Sequence, residues 1–235
     1  MTQLQTELIV APRGWTHPGW DGNFFPADLP DDWRLSYFSN EFRAVVVPEP
    51  DWLEAPVVEI ERWVNDTPEE FAFYLEMAGP AVDWSRVAEL IQPLAGQMGG
   101  FILRPDAVDP DLAMMAASLD AATALAPVSL LLPEGVEPSA EGLGLLAESG
   151  AELGWRAGHG VPYWRGGGLG VIHVSGNMTY TPRQWREIIE AGLAGGSEGA
   201  HHTLLSVLEG TDPRLDQLRA AVMIGDMLAL PTVHD

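Results

Sequence analysis

Cysteine and lysine are both absent from this chain of 235 residues. Without cysteine there is no disulfide, no thiolate metal site and no thiol nucleophile, and the composition fits a cytoplasmic protein. Without lysine there is no Schiff-base chemistry and no lysine base. Long apolar runs are also missing. No stretch approaches the ~18 residues of a membrane span, and MTQLQTEL at the start has no basic region leading into an apolar block, so no signal peptide is expected. Positive charge is scarce: all twelve basic residues are arginine, and the formal net charge is −22. Such a field repels nucleic-acid phosphates and anionic membranes, and no more than two arginines lie near one another in sequence. Neither nucleic acid nor membrane is an expected partner. The acidity reads first as a solvated surface, then as salt adaptation of the source, and last as a docking face. Phosphate-loop and Gly-x-Ser-x-Gly patterns are absent, and GGGLG (166–170) precedes a strand pattern instead of opening a helix. No cofactor is expected.

What is present is a rhythm. Eight short apolar runs recur: ELIVAP (7–12), AVVVPE (44–49), FAFYLEM (71–77), GFILRP (100–105), VSLLLPE (128–134), AELGWRA (151–157), GVIHVSG (170–176) and TLLSVLEG (203–210). Their near-continuous apolarity suits strands buried on both faces of a parallel sheet. Helical patterns lie between most of them. Asp109-Pro110, Thr181-Pro182 and Asp212-Pro213 read as a cap followed by Pro at the first helical position, and Thr181 with Gln184 as a capping box. The spacing predicts helices within 32–42, 59–65 and 83–98, the last broken at Pro93. Residues 158–169 are too short and glycine-rich for a helix. Eight strands alternating with about seven helices in 235 residues predict an α/β fold, a single-domain (β/α)8 TIM-type barrel.

The first strand-to-helix loop, RGWTHPGWDGNFFPADLP (13–30), belongs at the C-terminal mouth of such a barrel, where ligands bind. Its aromatic residues either plug the mouth or wall a pocket, and plugging is the plainer expectation because Trp and Phe mostly serve packing. The same loop carries a likeness. Gly14-Trp15, Trp20, Phe24-Phe25-Pro26 and Leu29-Pro30, then Trp33, Tyr37-Phe38, Phe42, Pro56, Trp63 and Thr67-Pro68 with Phe71 and Phe73, follow a known pattern. GVIHVSG, Tyr180 and Trp185 extend it. The chain resembles the YecE-like family (domain of unknown function 72). The resemblance implies a TIM-type barrel and no established reaction. It also implies departures. Val46 and Pro48 stand where the family has Glu and Asn, Glu76 where it has Lys, Leu131-Leu132-Pro133 for Glu-Phe-Arg, and His173-Val174-Ser175-Gly176 for Arg-x-His-Gly. The chain then reads as a divergent member whose ancestral polar site is largely replaced by inert side chains.

Polar residues remain at strand ends: Arg13, Glu49, Glu76, Arg104 with Asp106, Glu134, Arg156 with His159, His173 with Ser175, and Glu209 with Asp212. Glu49, Glu76 and His173 are the candidate acid–base groups. Arg13, Trp15, His17, Trp20, Arg104, Glu134, Arg156 and Glu209 are the candidate ligand-binding residues. Strand-end acids also serve as helix caps and arginine partners, and a His inside an apolar strand also serves as a hydrogen-bonded core residue. No two metal-capable side chains have a tight ligand spacing, so no metal is expected. His201-His202 falls at the wrong strand end for chemistry. Trp155, Tyr163 and Trp164 read as stacking platforms or loop core. The function expected is a degenerate or ligand-binding barrel taking a small polar ligand. The alternative is a hydrolase or isomerase.

Overall fold

All eight apolar runs form parallel strands. The computed structural model describes residues 6–78, 83–105, 112–162, 164, 168–195 and 203–229. The strands are β1 (Glu7–Pro12), β2 (Ala44–Val47), β3 (Ala72–Met77), β4 (Met98–Leu103), β5 (Val128–Leu130), β6 (Glu152–Leu153), β7 (Trp155–Arg156), β8 (Leu169–Ser175) and β9 (Thr203–Glu209). β6 and β7 are two halves of one stave, separated by Gly154. The first half pairs with β5 and the second with β8, so the stave joins the run β2-β3-β4-β5-β6 to the run β7-β8-β9-β1. At the other seam Arg13 bridges to Val46, and the Gly14 N–H donates to the Val46 carbonyl at 2.7 Å. This is a TIM-type (β/α)8 barrel.

Strand alternation sorts the side chains into two layers. Ile9, Ala11, Ala44, Val46, Tyr74, Ile102, Leu169, Val171, Leu205 and Val207 fill the interior. Leu8, Val10, Val45, Phe73, Leu75, Phe101, Val128, Ile172 and Leu204 face outward under the helices. Both faces are buried, which is why the runs lack polar alternation.

The helical layer is α1 (Arg34–Ser39), α2 (Glu49–Leu53), α3 (Val57–Asp66), α4 (Trp84–Ile91), α5 (Leu112–Thr123), α6 (Ala140–Ser149), α7 (Pro182–Ala194) and α8 (Leu215–Ala229). Helix α3 buries Ile60 and Trp63 on one stripe. Helix α4 starts where the Asp83 carboxylate accepts from two backbone N–H groups, and it gives way to a 3-10 turn at Gln92–Leu94, the break expected at Pro93. The capping box at Thr181 and Gln184 opens α7 as expected. Two expectations need correction. The Asp212-Pro213 pair does not cap α8, which begins at Leu215. Asp212 instead accepts from the Gly19 N–H at 3.1 Å, tying the first loop to the last. Helix α2 was not expected, because five residues are too few to show a periodic stripe. The Asp109-Pro110 pair lies outside the described residues. Among the described residues of 158–169 there is no helix. Trp164 covers that flank: its indole N–H donates to the Gly192 carbonyl at 2.7 Å, and its ring lies against Gly170. Among the described residues no helix is long and apolar enough to cross a membrane.

The first loop does not plug the mouth. Trp20, Phe24 and Phe25 are buried in the outer layer. Trp20 stacks on Phe38 at 6.1 Å between ring centres, and Phe24 meets Tyr37, Phe38 and Phe42 of the α1 region. Trp15 packs edge-on against Trp63 of α3. These rings fasten the loop to the outside of the barrel rim, and the axis is left to other side chains.

Candidate functional site

The inward alternation continues past the apolar layers to the upper strand ends. Two residues beyond Ala11 comes Arg13, beyond Tyr74 comes Glu76, and beyond Ile102 comes Arg104. Val171 leads to His173, Val207 to Glu209, and Gly154 to Arg156. Six polar residues from six staves therefore project inward at the C-terminal mouth.

They form one continuous network. The buried Glu76 carboxylate accepts from Arg13 Nε at 2.6 Å and from Arg104 Nη1 at 2.7 Å. Arg104 Nη1 also reaches Glu209 Oε1 at 2.9 Å. Arg156 Nη1 stands 3.5 Å from Glu209 Oε2, and its Nη2 donates to the Leu132 carbonyl at 3.2 Å. His173 Nδ1 lies 2.7 Å from Glu209 Oε1. The network meets water through its arginines: the side chains of Arg13, Arg104 and Arg156 are 35%, 29% and 26% exposed. His173 is 1% exposed at its side chain.

The electrostatics follow from the geometry. Burial alone would raise the Glu209 carboxyl. The His173 hydrogen bond and the Arg104 and Arg156 guanidiniums outweigh it and hold that carboxyl at about 2. Burial pushes His173 below its ordinary 6.5, against the pull of Glu209 and with help from the two guanidiniums. At neutral pH the imidazole is therefore uncharged beside an ionised carboxylate. A carboxylate only accepts, so Nδ1 carries the proton and Nε2 presents its lone pair. Nε2 is buried and has no hydrogen-bond partner among the described residues.

The other candidates serve joints and rims. Glu49 Oε2 accepts the Ala78 N–H at 2.9 Å, fixing α2 to the end of β3. His17 is buried between the Thr211 and Gly14 carbonyls, with burial lowering its pKa. The Trp20 indole donates to the Pro213 carbonyl at 2.9 Å. Glu134 is exposed on the wall of a cleft of about 620 Å³, between the loop after β5, helix α6 and residues 151–162, which Arg156 and His159 also line. Trp155 and Trp164 are core. Asp106, Tyr163 and His201-His202 lie outside the described residues. Among the described residues no cluster suited to a metal ion occurs.

Asp51 was missed. It lies near Arg13 and Glu76, and burial raises its carboxyl against the pull of Arg13. Pro48-Glu49-Pro50-Asp51 carries only the composition of a first helical turn, and a helix of five residues prints no periodic stripe to go with it. Gly154 was missed as well. A Cβ at that position would stand 3.2 Å from His173 Nε2.

The expectation of an inert rim is therefore corrected in one respect. Val46 and Leu131 are buried apolar residues, but the mouth is charged, through Arg13, Glu76, Arg104, Arg156 and Glu209. Comparison with known structures agrees with the barrel. A DUF72 family protein from Thermotoga maritima MSB8 superposes with a TM-score of 0.71 at 13% identity, covering 95% of this chain and 100% of that one. A DUF72 family protein from Enterococcus faecalis V583 gives 0.67 at 13% identity, with 97% of each chain covered. A D-psicose 3-epimerase crystallised in the presence of D-fructose gives 0.53 at 10% identity, with 96% of each covered. These likenesses concern the fold. A comparison with curated proteins gives no match. The family model described as a protein of unknown function, DUF72, matches residues 10–157, and the chain belongs to that family.

Proposed function

We propose that this protein is a binding barrel that holds a small polar ligand at its C-terminal mouth. One observation carries the reading: the mouth holds a part-exposed network of three arginines, two glutamates and a histidine from separate strands, while the aromatic loop packs outside it. A core with no ligand to meet gains little from such a layer, because apolar side chains would fill it at lower desolvation cost. The carboxylates are poorly placed for acid–base work. Both oxygens of Glu76 are engaged by guanidiniums, and Glu49 is turned to a backbone N–H.

His173 favours a second reading. Its Nδ1 is oriented by Glu209 and its Nε2 is unpartnered, the arrangement of a general base. Isomerase or hydrolase chemistry would then run through His173 alone, with Glu209 as the positioning residue. Native mass spectrometry of the freshly purified protein tests the binding reading. A retained small molecule, lost in an Arg104→Ala variant that still folds, is the expected result. An apo mass combined with no thermal stabilisation by any compound of a broad metabolite panel would refute it.

A further inference from the structure

The outer surface carries a feature independent of the mouth. Helices α1 and α8 are neighbours, joined just past the end of α1 where Arg219 Nη2 donates to Glu41 Oε2 at 2.9 Å. The Phe24 ring touches both sides of the joint, 5.4 Å from the Tyr37 ring and 5.9 Å from the Arg219 guanidinium. Beside the joint runs an open groove of about 360 Å³, lined by the buried Phe42, by Val222, and by Met223, Asp226 and Met227. Met223 and Met227 are 56% and 67% exposed and stand one turn apart on α8. Tyr37 of α1 is exposed, and so is Trp33 in the turn that leads into that helix. These four are among nine large apolar side chains exposed among the described residues. Single exposed apolar residues are ordinary, but four gathered on two adjoining helices mark a contact face.

The charges on this side are paired. Arg219 holds Glu41, and Arg43 stands 3.9 Å from Asp226. Toward the helix starts, Arg34 is shared by Asp21 and Asp31, Arg62 reaches Asp32, and Arg214 takes Asp216. Arg34, Arg43, Arg62, Arg214 and Arg219 are five of only twelve arginines in a chain whose formal charge is −22. Each carboxylate just named already has an arginine, so a basic partner would have to displace one. An acidic partner would meet the general negative field. A second copy related by a two-fold axis meets neither obstacle at this face. Its Arg219 and Glu41 can exchange partners with those of the first chain. The shapes also suit self-pairing, with the exposed methionines of one copy as projections and the groove of the other as the recess. Methionine fits such a role because it is long, unbranched and adaptable.

We propose that the α1–α8 face docks on the same face of a second copy of this chain, burying Tyr37, Met223 and Met227 and setting Arg219 against the partner's Glu41. The size follows from the helices. The fifteen residues of α8 extend about 22 Å, and two helices side by side are about 20 Å wide. The footprint is then about 450 Å² per copy, at the weak end of specific interfaces. The dimer is therefore reversible, with a Kd of about 1–100 μM. Salt strengthens it. Two copies at −22 repel each other, and added salt screens that repulsion, the Debye length being about 10 Å at 0.1 M.

The test is sedimentation equilibrium of the full chain from about 5 to about 500 μM, at about 50 and about 500 mM NaCl. A monomer–dimer equilibrium is expected, several-fold tighter at the higher salt. Met223→Glu and Met227→Glu change exposed positions and leave the melting temperature nearly unchanged, and each weakens the dimer about tenfold or more. Arg219→Glu sets like charges together and weakens it too, and adding Glu41→Arg to that variant restores association. A dimer that both methionine variants leave intact refutes this face. A dimer that loosens as salt rises refutes the apolar contact as its basis. A chain that stays monomeric throughout refutes the second copy as occupant. In that monomer, protection of Met223 and Met227 from peroxide would assign the face to residues 230–235, and their ready oxidation would leave it to a different protein.

Discussion

Replacing Glu209 by Gln removes one negative charge from the centre of the network and keeps its shape. In the native protein that carboxyl is held at about 2, against an ordinary 4.5. Each unit is worth about 1.4 kcal/mol, so the native contacts contribute at most about 3 kcal/mol. The side chain is 19% exposed, and water screening reduces the figure to about 2 kcal/mol. The sign is fixed by proton binding. Between pH 4.5 and 2 the unfolded chain holds the proton and the folded chain does not. The contribution is therefore complete above pH 4.5 and disappears as pH falls toward 2. Urea unfolding at a series of pH values measures it. At pH 7 the variant is less stable by about 2 kcal/mol, a drop of roughly 4–8 °C in Tm for a chain of this size. By about pH 3 more than half of the gap has closed. A gap under about 0.5 kcal/mol at pH 7, or one of equal size at pH 7 and pH 3, refutes the network as a stabilising unit.

Other perturbations test the scaffold. Trp20→Ala empties a fully packed site and removes the hydrogen bond to Pro213, so denaturant unfolding should register a loss of about 3–5 kcal/mol. Thr181→Ala breaks the capping box of α7 and costs about 1 kcal/mol, read as a Tm lower by roughly 2–4 °C. His17 and His173 are both pushed below 6.5 by burial. The folded chain therefore binds fewer protons than the unfolded one, and stability declines as pH falls below about 6.5. His17→Gln should flatten the slope of unfolding free energy against pH between 7 and 5, and an unchanged slope would count against the buried neutral imidazole.

The barrel was legible because its signal is redundant. Eight apolar runs, the proline-led helix start at Thr181-Pro182 and the lengths between the runs all point to one closed sheet. The level of the candidate site was legible for the same reason: strand period two places Arg13, Glu76, Arg104, His173 and Glu209 on the inner face once the strands are set. Three things were not legible, and each has a physical cause. Pairing within the network depends on distances across the barrel, which sequence spacing does not carry. The direction of the Trp20–Phe25 cluster depends on whether α1 or the barrel axis offers it more apolar surface, and Phe38 and Phe42 decide for α1. Asp51 sits on a helix too short to print a periodic stripe.

The family resemblance compounds the point. Position-by-position departures at Val46, Pro48 and Leu131 suggest loss of polarity when each is taken alone. The barrel, however, lets six staves address one ring of space, so a charge missing from one strand can be supplied from its neighbour without moving the backbone. Glu76 on β3 and Arg104, the residue after β4, stand two residues apart in register and meet at 2.7 Å. Glu209 on β9 lies beside Ser175 at the end of β8 and still reaches Arg104 of β4 at 2.9 Å across the mouth. Polarity at the mouth is thus a property of the ring and not of any one strand. The ring here alternates arginines and carboxylates and is part-exposed at its arginines, and among the described residues it leaves one histidine nitrogen without a partner.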